Sequence, residues 1–351
     1  MLLGMGEAGV RLRLVWVCLA ACIFVIASYT HHTTLAPTTL QPSLLEVHPP
    51  NDSFIPWWES GRCTCEEKVC VPDVDVPFDP LDGVGGTCGR RAWEAGDGQH
   101  VLSFSLYGDK RNYWRGLDSL LKKVRRLYPG WKVRVYTNPR FYVSTLCPLL
   151  HQHDHLYLCD VTNLPQPLGN LTGIHRMMWR VVPLGDPQLR ALMIRDTDSA
   201  ISRREAAAVR EWLASSKHFH VMRDHPAHSA PIMGGLWGAR WGLNRQLVPE
   251  NAKFLSQIRD KMFKDAYGEQ KHGKDQEILA VRLWPKMTGN VMAHDSYWCK
   301  FYGKAWPWPT KRENRYFVGS TSYRDPPGDA KVPKPCPVRC RPPEHHDWIY
   351  C

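Results

Sequence analysis

The stretch "ALMIRDTDSAISRRE" (residues 191–205) places Asp196 and Asp198 at the end of an apolar run and immediately before a helix signal. Residues 191–196 have the length and composition of a buried strand. The segment 202–205, Ser-Arg-Arg-Glu, is a capping box that predicts the start of a helix. A second Asp-x-Asp, in "PDVDVP" (72–77), shows that the triplet alone is a weak motif, so its meaning depends on its surroundings.

Outward from this stretch, apolar runs alternate with amphipathic segments. The pattern predicts strands over 101–108, 132–138, 155–161, 191–196 and 218–224, and helices over 112–128, over 173–184 and after Ser202. Strands that alternate with helices are typical of a layered, mainly parallel α/β sheet flanked by helices, as in Rossmann-like folds. We therefore expect an α/β fold with Asp196 and Asp198 at the carboxyl end of a strand, where ligands of such sheets bind.

The N-terminal region has the features of a membrane anchor. Residues 14–29 form an uncharged apolar run that is short for a bilayer span, preceded by Arg11 and Arg13 and followed by no Lys or Arg until Arg62. This asymmetry predicts a single-pass type II signal-anchor with the rest of the chain in the lumen of the ER or Golgi. A cleaved signal peptide is the alternative.

Composition divides the remaining chain. We expect a cytoplasmic tail (1–13), the transmembrane anchor (14–29), a Pro/Thr-rich stalk (30–62), a Cys-rich collar (63–98), a catalytic domain (99–335) and a Cys-rich tail (336–351). The formal charge of +11 at pH 7 would suit nucleic acid, but a lumenal position argues against that partner. Nucleotide diphosphates or acidic glycans are the anionic partners that fit, and a solvated basic surface is the simpler reading.

Ten of the twelve cysteines lie outside the apolar run, an even number that predicts disulfides in an oxidising compartment. Zinc is the competing interpretation of "CTCEEKVC" and "CPVRC", but neither has Cys-x-x-Cys spacing. The sequons at Asn51 and Asn170 are consistent with a glycoprotein.

Asp196 and Asp198 could hold a hard divalent cation, Mg²⁺ or Mn²⁺, and leave coordination positions for phosphate oxygens. The alternative is that they are turn residues in front of a capped helix. Arg195 could neutralise them or reach a phosphate.

The order of "FSLYG", "YPGW", "MMWRVVPLGDP", "IRDTDS", "FHVMRDHPAH", "MGGLWG", "DQEIL" and "HDSYWC" resembles the glycosyltransferases of the A-type fold (GT-A) that carry a DxD motif. It is most similar to a poorly characterised group of predicted transferases with RDxDS and MRDHPxH blocks. The resemblance covers about residues 100–320, and the anchor and stalk resemble the type II layout of Golgi transferases.

The resemblance implies transfer of a sugar from a UDP- or GDP-type donor to a glycan or glycoconjugate acceptor, with Mn²⁺ or Mg²⁺ on the diphosphate. Asp198 would be the direct metal ligand, Asp196 would face the metal or the ribose, and His294 would complete the metal shell. Arg180 would face the donor or the DxD loop. The plainer readings are a loop histidine at His294 and a surface salt bridge at Arg180.

On the acceptor side, the resemblance implies roles for Asp275 and Gln276, and Gly234 and Gly235 would let the backbone approach a sugar. A tight turn with positive φ would need the same glycines. An inverting reaction needs a base, for which Asp275, Asp224 and His225 are candidates; Asp275 could instead be a helix N-cap.

Trp237, Trp306 and Trp308 could stack on sugar faces or simply pack in the core. The histidines of "HQHDH" (151–155) are more typical of a solvated loop entering a strand than of a zinc site. Two rival functions remain from the sequence: a metal-dependent glycan hydrolase using Asp196 and Asp224 or the histidines, and a non-catalytic glycan-binding ectodomain.

Overall fold

The structure is a computed structural model that describes residues 55–61, 63–66, 69–72, 85–109, 111–241, 248–321 and 331–351. The chain divides into two units, 1–51 and 52–351, and the described residues all belong to the second. The predicted tail (1–13) and anchor (14–29), and most of the stalk, lie outside the described residues. Within the described part, no helix is both long enough and apolar enough to span a bilayer.

The helices are α1 (Trp57–Ser60), α2 (Arg90–Glu94), α3 (Arg111–Leu127), α4 (Val143–Gln152), α5 (Arg203–Ala214), α6 (Val248–Ala266), α7 (Lys274–Arg282) and α8 (Trp284–Met287). The strands are β1 (Cys63–Glu66), β2 (Val69–Pro72), β3 (Gln99–Ser105), β4 (Lys132–Thr137), β5 (Leu156–Asp160), β6 (Leu189–Arg195), β7 (Phe219–Arg223), β8 (Leu236–Arg240) and β9 (Val291–Asp295). Short 3₁₀ helices cover Pro139–Tyr142, Arg176–Val181 and Val338–Cys340.

Seven strands form one sheet in the order β5-β4-β3-β6-β8-β7-β9. Only β8 runs antiparallel to its neighbours, β6 and β7, while the other pairings are parallel. The mainly parallel α/β sheet predicted from the sequence is therefore confirmed. The strands β1 and β2 form a separate antiparallel pair.

The centre of strand β6, residues 191–194, is apolar because both faces of the sheet are covered there. Leu192 and Ile194 belong to the hydrophobic core on one face of the sheet, and Ala191 and Met193 belong to the core on the other. Positions covered on both faces need apolar side chains, so the polar residues of β6 lie near its two ends, at exposed Arg190 and at Arg195. This places the 196–202 loop at the carboxyl edge of the sheet.

The predicted strands are confirmed with small shifts of their ends, and helix 112–128 corresponds to α3. The predicted helix 173–184 is instead a 3₁₀ helix over Arg176–Val181. Strand β8 was not predicted, because "LWGAR" is short and has Gly238 at its centre. A Cβ atom at Gly238 would lie 2.5 Å from Sδ of Met193, so the glycine marks close packing against β6 rather than a turn.

All ten cysteines outside the apolar run are paired, which confirms the disulfide prediction. The pairs are Cys63–Cys147, Cys65–Cys70, Cys88–Cys159, Cys299–Cys340 and Cys336–Cys351. The structure thereby excludes the zinc interpretation of "CTCEEKVC" and "CPVRC". In the predicted collar, β1, β2 and α2 are regular elements that composition did not reveal.

Two of the three histidines of "HQHDH" contact protein groups. His153 is buried, with Nε2 2.9 Å from Oδ1 of Asp118, and Nε2 of His155 lies 3.2 Å from the carbonyl oxygen of Leu121. The segment ends α4 and leads into β5, as the sequence suggested, but His153 packs inside rather than in a solvated loop.

Candidate functional site

Arg180 connects two carboxylates at the carboxyl edge of the sheet. Its Nη1 donates to Oδ1 of Asp196, and its Nη2 donates to Oδ2 of Asp275 at 2.8 Å. The side chains of Arg180 and Asp275 are only 2% and 8% exposed, whereas that of Asp196 is 29% exposed. The group therefore presents Asp196 to solvent and keeps the guanidinium beneath it.

The first strand of the domain holds Arg180 in place. Oγ of Ser103 donates to the carbonyl oxygen of Arg180 at 2.7 Å, and Oγ of Ser105 accepts the Arg180 N–H at 2.8 Å. Ser103 and Ser105 are two residues apart on β3, so both side chains point to the same face of the sheet. They fix both backbone polar groups of Arg180, which lies in the 3₁₀ helix rather than in the predicted α-helix.

The charge of Arg180 is stabilised despite its burial. Desolvation opposes the charged form, but attraction to Asp196 and then to Asp275 outweighs it and raises the pKa of Arg180 above its ordinary value. Arg180 therefore stays charged between the two carboxylates. The plainer reading, a surface salt bridge, does not describe a side chain with this burial.

Gly234 and Gly235 close over the same group. A Cβ atom at Gly235 would lie 2.0 Å from Oδ2 of Asp196, and one at Gly234 would lie 2.6 Å from Oδ2 of Asp275. Neither glycine has positive φ. The two glycines are therefore explained by close approach to the carboxylates, and not by the tight turn considered from the sequence.

Arg195 points away from this group into the core. Its Nε lies 2.9 Å from Oε1 of Glu205, with both side chains fully buried, and its Nη1 donates to the carbonyl oxygen of Gly235 at 3.0 Å. Its Nη2 lies 3.4 Å from the carbonyl oxygen of Ala200. Arg195 thus ties the 196–202 loop, β8 and α5 together, a position that does not suit contact with a phosphate.

Ser202 caps α5 as predicted, its Oγ accepting the Glu205 N–H at 3.1 Å. The side chain of Glu205 does not complete the capping box, because it pairs with Arg195 and accepts from the Tyr128 hydroxyl at 3.1 Å. Burial raises the pKa of Glu205, and the charge of Arg195 opposes that shift.

The loop that carries Asp198 is fastened at its far end. The Ser199 N–H donates to the Asp196 carbonyl oxygen at 3.2 Å, and the Ala200 N–H donates to the Ser320 carbonyl oxygen at 3.0 Å. Asp198 itself is partly exposed. Both aspartates therefore reach the surface from a loop with defined backbone bonds.

His294 contacts His220 and Glu211 rather than the two aspartates. It is fully buried on β9, with Nδ1 2.8 Å from Nε2 of His220 and Nε2 3.1 Å from Oε2 of Glu211. Across the described ranges, no three His, Cys, Asp or Glu side chains are grouped as a metal site. Asp196 and Asp198 are both partly exposed on one loop, and Mg²⁺ or Mn²⁺ is commonly held by one or two carboxylates together with substrate phosphates.

Asp224 is sealed inside the protein. It is fully buried and accepts from Arg204 at 3.0 Å and 3.1 Å, from Arg312 at 2.7 Å and 2.8 Å, and from the Ser296 hydroxyl at 2.6 Å. Although burial opposes ionisation, these two arginines lower the pKa of Asp224. An inaccessible carboxylate with every oxygen engaged does not suit the base role predicted for it.

The two histidines that follow have fixed tautomers. Nδ1 of His225 accepts the Ala227 N–H at 3.1 Å, and Nδ1 of His228 accepts the Asp224 N–H at 3.1 Å. In their neutral forms both rings therefore carry the proton on Nε2. Burial lowers the pKa of His225 and lowers that of His228 to about 4. His225 is thus arranged as a donor through Nε2 rather than as the predicted base.

The tryptophans predicted to stack on sugars are mostly internal. Trp237 and Trp308 lie in the core, and Trp306 is partly exposed. A buried ring has no face for a ligand, so the acceptor role predicted for Trp237 does not fit its position. Gln276 is partly exposed next to Asp275 in the first turn of α7, whose N-cap is Gly273 rather than Asp275.

Tyr107 is a site residue that sequence reasoning did not single out. It follows β3, its ring centroid lies 5.8 Å from that of Trp179, and the Arg176 guanidinium lies 5.7 Å from its centroid. Burial raises the pKa of Tyr107, with smaller effects from Arg180 and Asp275. Its place directly after the first strand, inside the quoted "FSLYG", was the available signal.

No protein-family model and no curated protein matches this chain. One solved structure to which it is similar is a glycosyltransferase involved in the glycosylation of the major capsid of PBCV-1. The two share 14% identity, the match covers 57% of this chain and 82% of that one, and the TM-score is 0.34. A likeness this weak carries no argument about function, which has to come from the residues themselves.

Proposed function

We propose that the chain is a metal-dependent glycosyltransferase of GT-A-like fold, transferring a sugar from a UDP- or GDP-type donor to a glycan or glycoconjugate acceptor. The observation that carries the proposal is the bridge from Arg180 to Asp196 and Asp275, closed over by Gly234 and Gly235. This bridge brings together residues from four of the sequence blocks that resemble DxD transferases. They lie at the carboxyl edge of the sheet, where ligands of parallel α/β sheets bind.

The chemistry requires stabilisation of a departing diphosphate. A divalent ion held by Asp198 and Asp196 would supply Lewis-acid stabilisation of the charge that develops on its oxygens. Arg180 orients Asp196 from below, and the Arg195–Glu205 pair fixes the loop that carries both aspartates. These contacts join protein groups to one another, and such preorganisation lowers the reorganisation that the reaction needs.

Asp275 is the carboxylate best placed to act on an acceptor hydroxyl. Arg180 contacts its Oδ2, and the residue lies in the first turn of α7. Its other oxygen can accept the acceptor proton or orient the hydroxyl, whichever the stereochemistry of transfer requires.

The five disulfides support a secretory compartment, because such bonds persist in oxidising surroundings. With the charge asymmetry around residues 14–29, they support a type II protein of the ER or Golgi membrane with a lumenal catalytic domain.

The hydrolase alternative is less compatible with the geometry. A glycosidase needs a carboxylic acid that can reach the glycosidic oxygen, whereas Asp224 is buried between two arginines and both Asp196 and Asp275 are paired with Arg180. A purely glycan-binding role is an outcome of the test below.

The test is calorimetric titration of the chain with UDP and with GDP, with and without Mn²⁺. We expect one nucleotide to bind only with Mn²⁺ and Asp198→Ala to abolish that binding. Asp347→Ala, at an exposed position in the C-terminal tail, is the matched control. Absence of binding by both nucleotides would overturn the transferase proposal; glycan binding that survives Asp198→Ala would then indicate a lectin-like protein.

A further inference from the structure

A surface cluster of aromatic rings follows β9 in the segment "SYWCKFYG" (296–303). We call Trp298, Phe301 and Tyr302 the aromatic lip. Ring centroids lie 5.8 Å apart for Trp298 and Phe301 and 4.8 Å apart for Phe301 and Tyr302. Phe301 is 71% exposed, which is costly for so apolar a side chain. Trp298 and Tyr302 are partly exposed beside it, so the three rings form one contiguous apolar surface that a ligand can contact.

The lip is held rigidly. The Trp298 indole N–H donates to the Pro226 carbonyl oxygen at 3.0 Å, and the Tyr302 hydroxyl donates to the Ser229 carbonyl oxygen. The Trp298 N–H donates to Asp295 at 2.7 Å, and Cys299 is joined to Cys340. Phe301 therefore stays at the surface, where binding a ligand costs little ordering of its neighbours.

The lip shares a loop with the candidate site. Pro226 and Ser229 lie between β7 and β8, and the same loop continues to Gly234 and Gly235, which cover Asp275 and Asp196. A ligand that extends from the carboxylates along this loop would approach the lip. A sugar polymer is such a ligand, because its units repeat along an extended chain.

The charge of the lip is positive. Lys300 and Lys304 are exposed on either side of Phe301, and Nζ of Lys304 lies 5.0 Å from the ring centroid of Trp306. The sequence from Ser296 to Trp306 contains no Asp or Glu. Aromatic faces attract the polarised C–H groups of a pyranose, and ammonium groups attract carboxylates or sulfates.

We infer that the aromatic lip binds an acidic sugar unit of the acceptor, with a pyranose face on Phe301 and its carboxylate or sulfate near Lys300 and Lys304. That this sugar belongs to an acceptor rests on the proposed function. The lip also supplies the exposed aromatic surface that buried Trp237 does not.

The test measures binding of three hexasaccharides to the full chain: hyaluronan and chondroitin sulfate, which are acidic, and chitohexaose, which is neutral. We expect an acidic probe to bind more tightly than the neutral one. Phe301→Ala should weaken binding of the acidic probe at least about tenfold. Phe301→Tyr keeps the ring and should retain binding. Phe254→Ala, which removes another exposed phenylalanine on α6, is the control and should change nothing.

Lys300→Ala combined with Lys304→Ala should remove the preference for acidic over neutral probes, whereas Lys253→Ala with Lys261→Ala on α6 should preserve it. The inference is overturned if no acidic probe binds in a Phe301-dependent way. It is also overturned if phosphatidylcholine vesicles containing phosphatidylserine bind through Phe301 while the sugars do not, because the lip is then a membrane contact.

Nucleotide titrations separate this result from the proposed function. Metal-dependent UDP or GDP binding that is unaffected by Phe301→Ala, without sugar binding at the lip, refutes the lip alone. Phe301-dependent sugar binding without any nucleotide binding refutes the transferase and leaves the lip as a glycan-binding surface.

Discussion

Gly235 lies so close to Asp196 that a Cβ atom on the glycine would fall 2.0 Å from the carboxylate oxygen Oδ2. The Gly235 carbonyl oxygen also accepts from Arg195, the residue before Asp196. The residue before β8 thus packs directly against the end of β6. The absence of a side chain at position 235 lets Asp196 reach Arg180.

Replacement of Gly235 by alanine tests this contact. We expect Gly235→Ala to displace Asp196, abolish metal-dependent nucleotide binding and lower the free energy of unfolding by about 1–3 kcal/mol. Gly116→Ala in α3 is the matched control, because nothing lies within 4 Å of a Cβ there. It should raise stability by about 0.5–1 kcal/mol. Unchanged nucleotide binding in Gly235→Ala would show that Asp196 is not part of the site.

The guanidinium of Arg180 should matter for stability as well as for binding. Arg180→Met would leave Asp196 and buried Asp275 without their cation, and we expect a loss of about 3–5 kcal/mol in urea unfolding. Arg282→Met, which breaks an exposed pair with Asp265, should leave the unfolding midpoint almost unchanged. Equal effects of the two substitutions would contradict the buried-bridge interpretation.

Local signals made much of this fold predictable. β6 was evident from its apolar run and α5 from Ser202, because strand burial and helix capping depend on neighbouring residues. The sequence could not show that the Glu205 side chain leaves the capping box for Arg195, since that pairing depends on how α5 packs on the sheet.

The site itself was only partly predictable for the same reason. Arg180 and Asp275 are 95 positions apart, and their contact follows from the fold rather than from any motif. Trp237 was assigned to a ligand because β8 was not anticipated as a strand. Once β8 pairs with β6 and β7, the sheet buries that ring.

The two disulfides of the hairpin β1–β2 should contribute unequally. Cys63–Cys147 spans 84 positions, whereas Cys65–Cys70 spans only 5. The loop-entropy argument gives about 4.5 kcal/mol for the first bond and about 2 kcal/mol for the second. We expect Cys63→Ser with Cys147→Ser to lower the midpoint of urea unfolding more than Cys65→Ser with Cys70→Ser. The reverse order would mean that strain or residual structure outweighs loop length.

Glu59 should make stability depend on pH. Its carboxylate packs against Gly89 and accepts the Arg91 N–H at 3.1 Å, and burial raises its pKa from 4.5 to about 7 despite that bond. Between pH 4.5 and 7 the folded state holds a proton that the unfolded state releases, so the free energy of unfolding falls as pH rises. The resulting loss in the free energy of unfolding is at most about 3 kcal/mol and is complete above pH 7.

Glu59→Gln removes this titration while keeping an oxygen acceptor for Arg91. We expect the variant to be more stable than the parent at pH 8 and to lose the decline in unfolding free energy over the pH 4.5–7 window. Glu94→Gln, at an exposed carboxylate paired with Arg90, is the control and should follow the parent at every pH. If the decline persists in Glu59→Gln, another group titrates in that range and Glu59 is ionised in the folded protein.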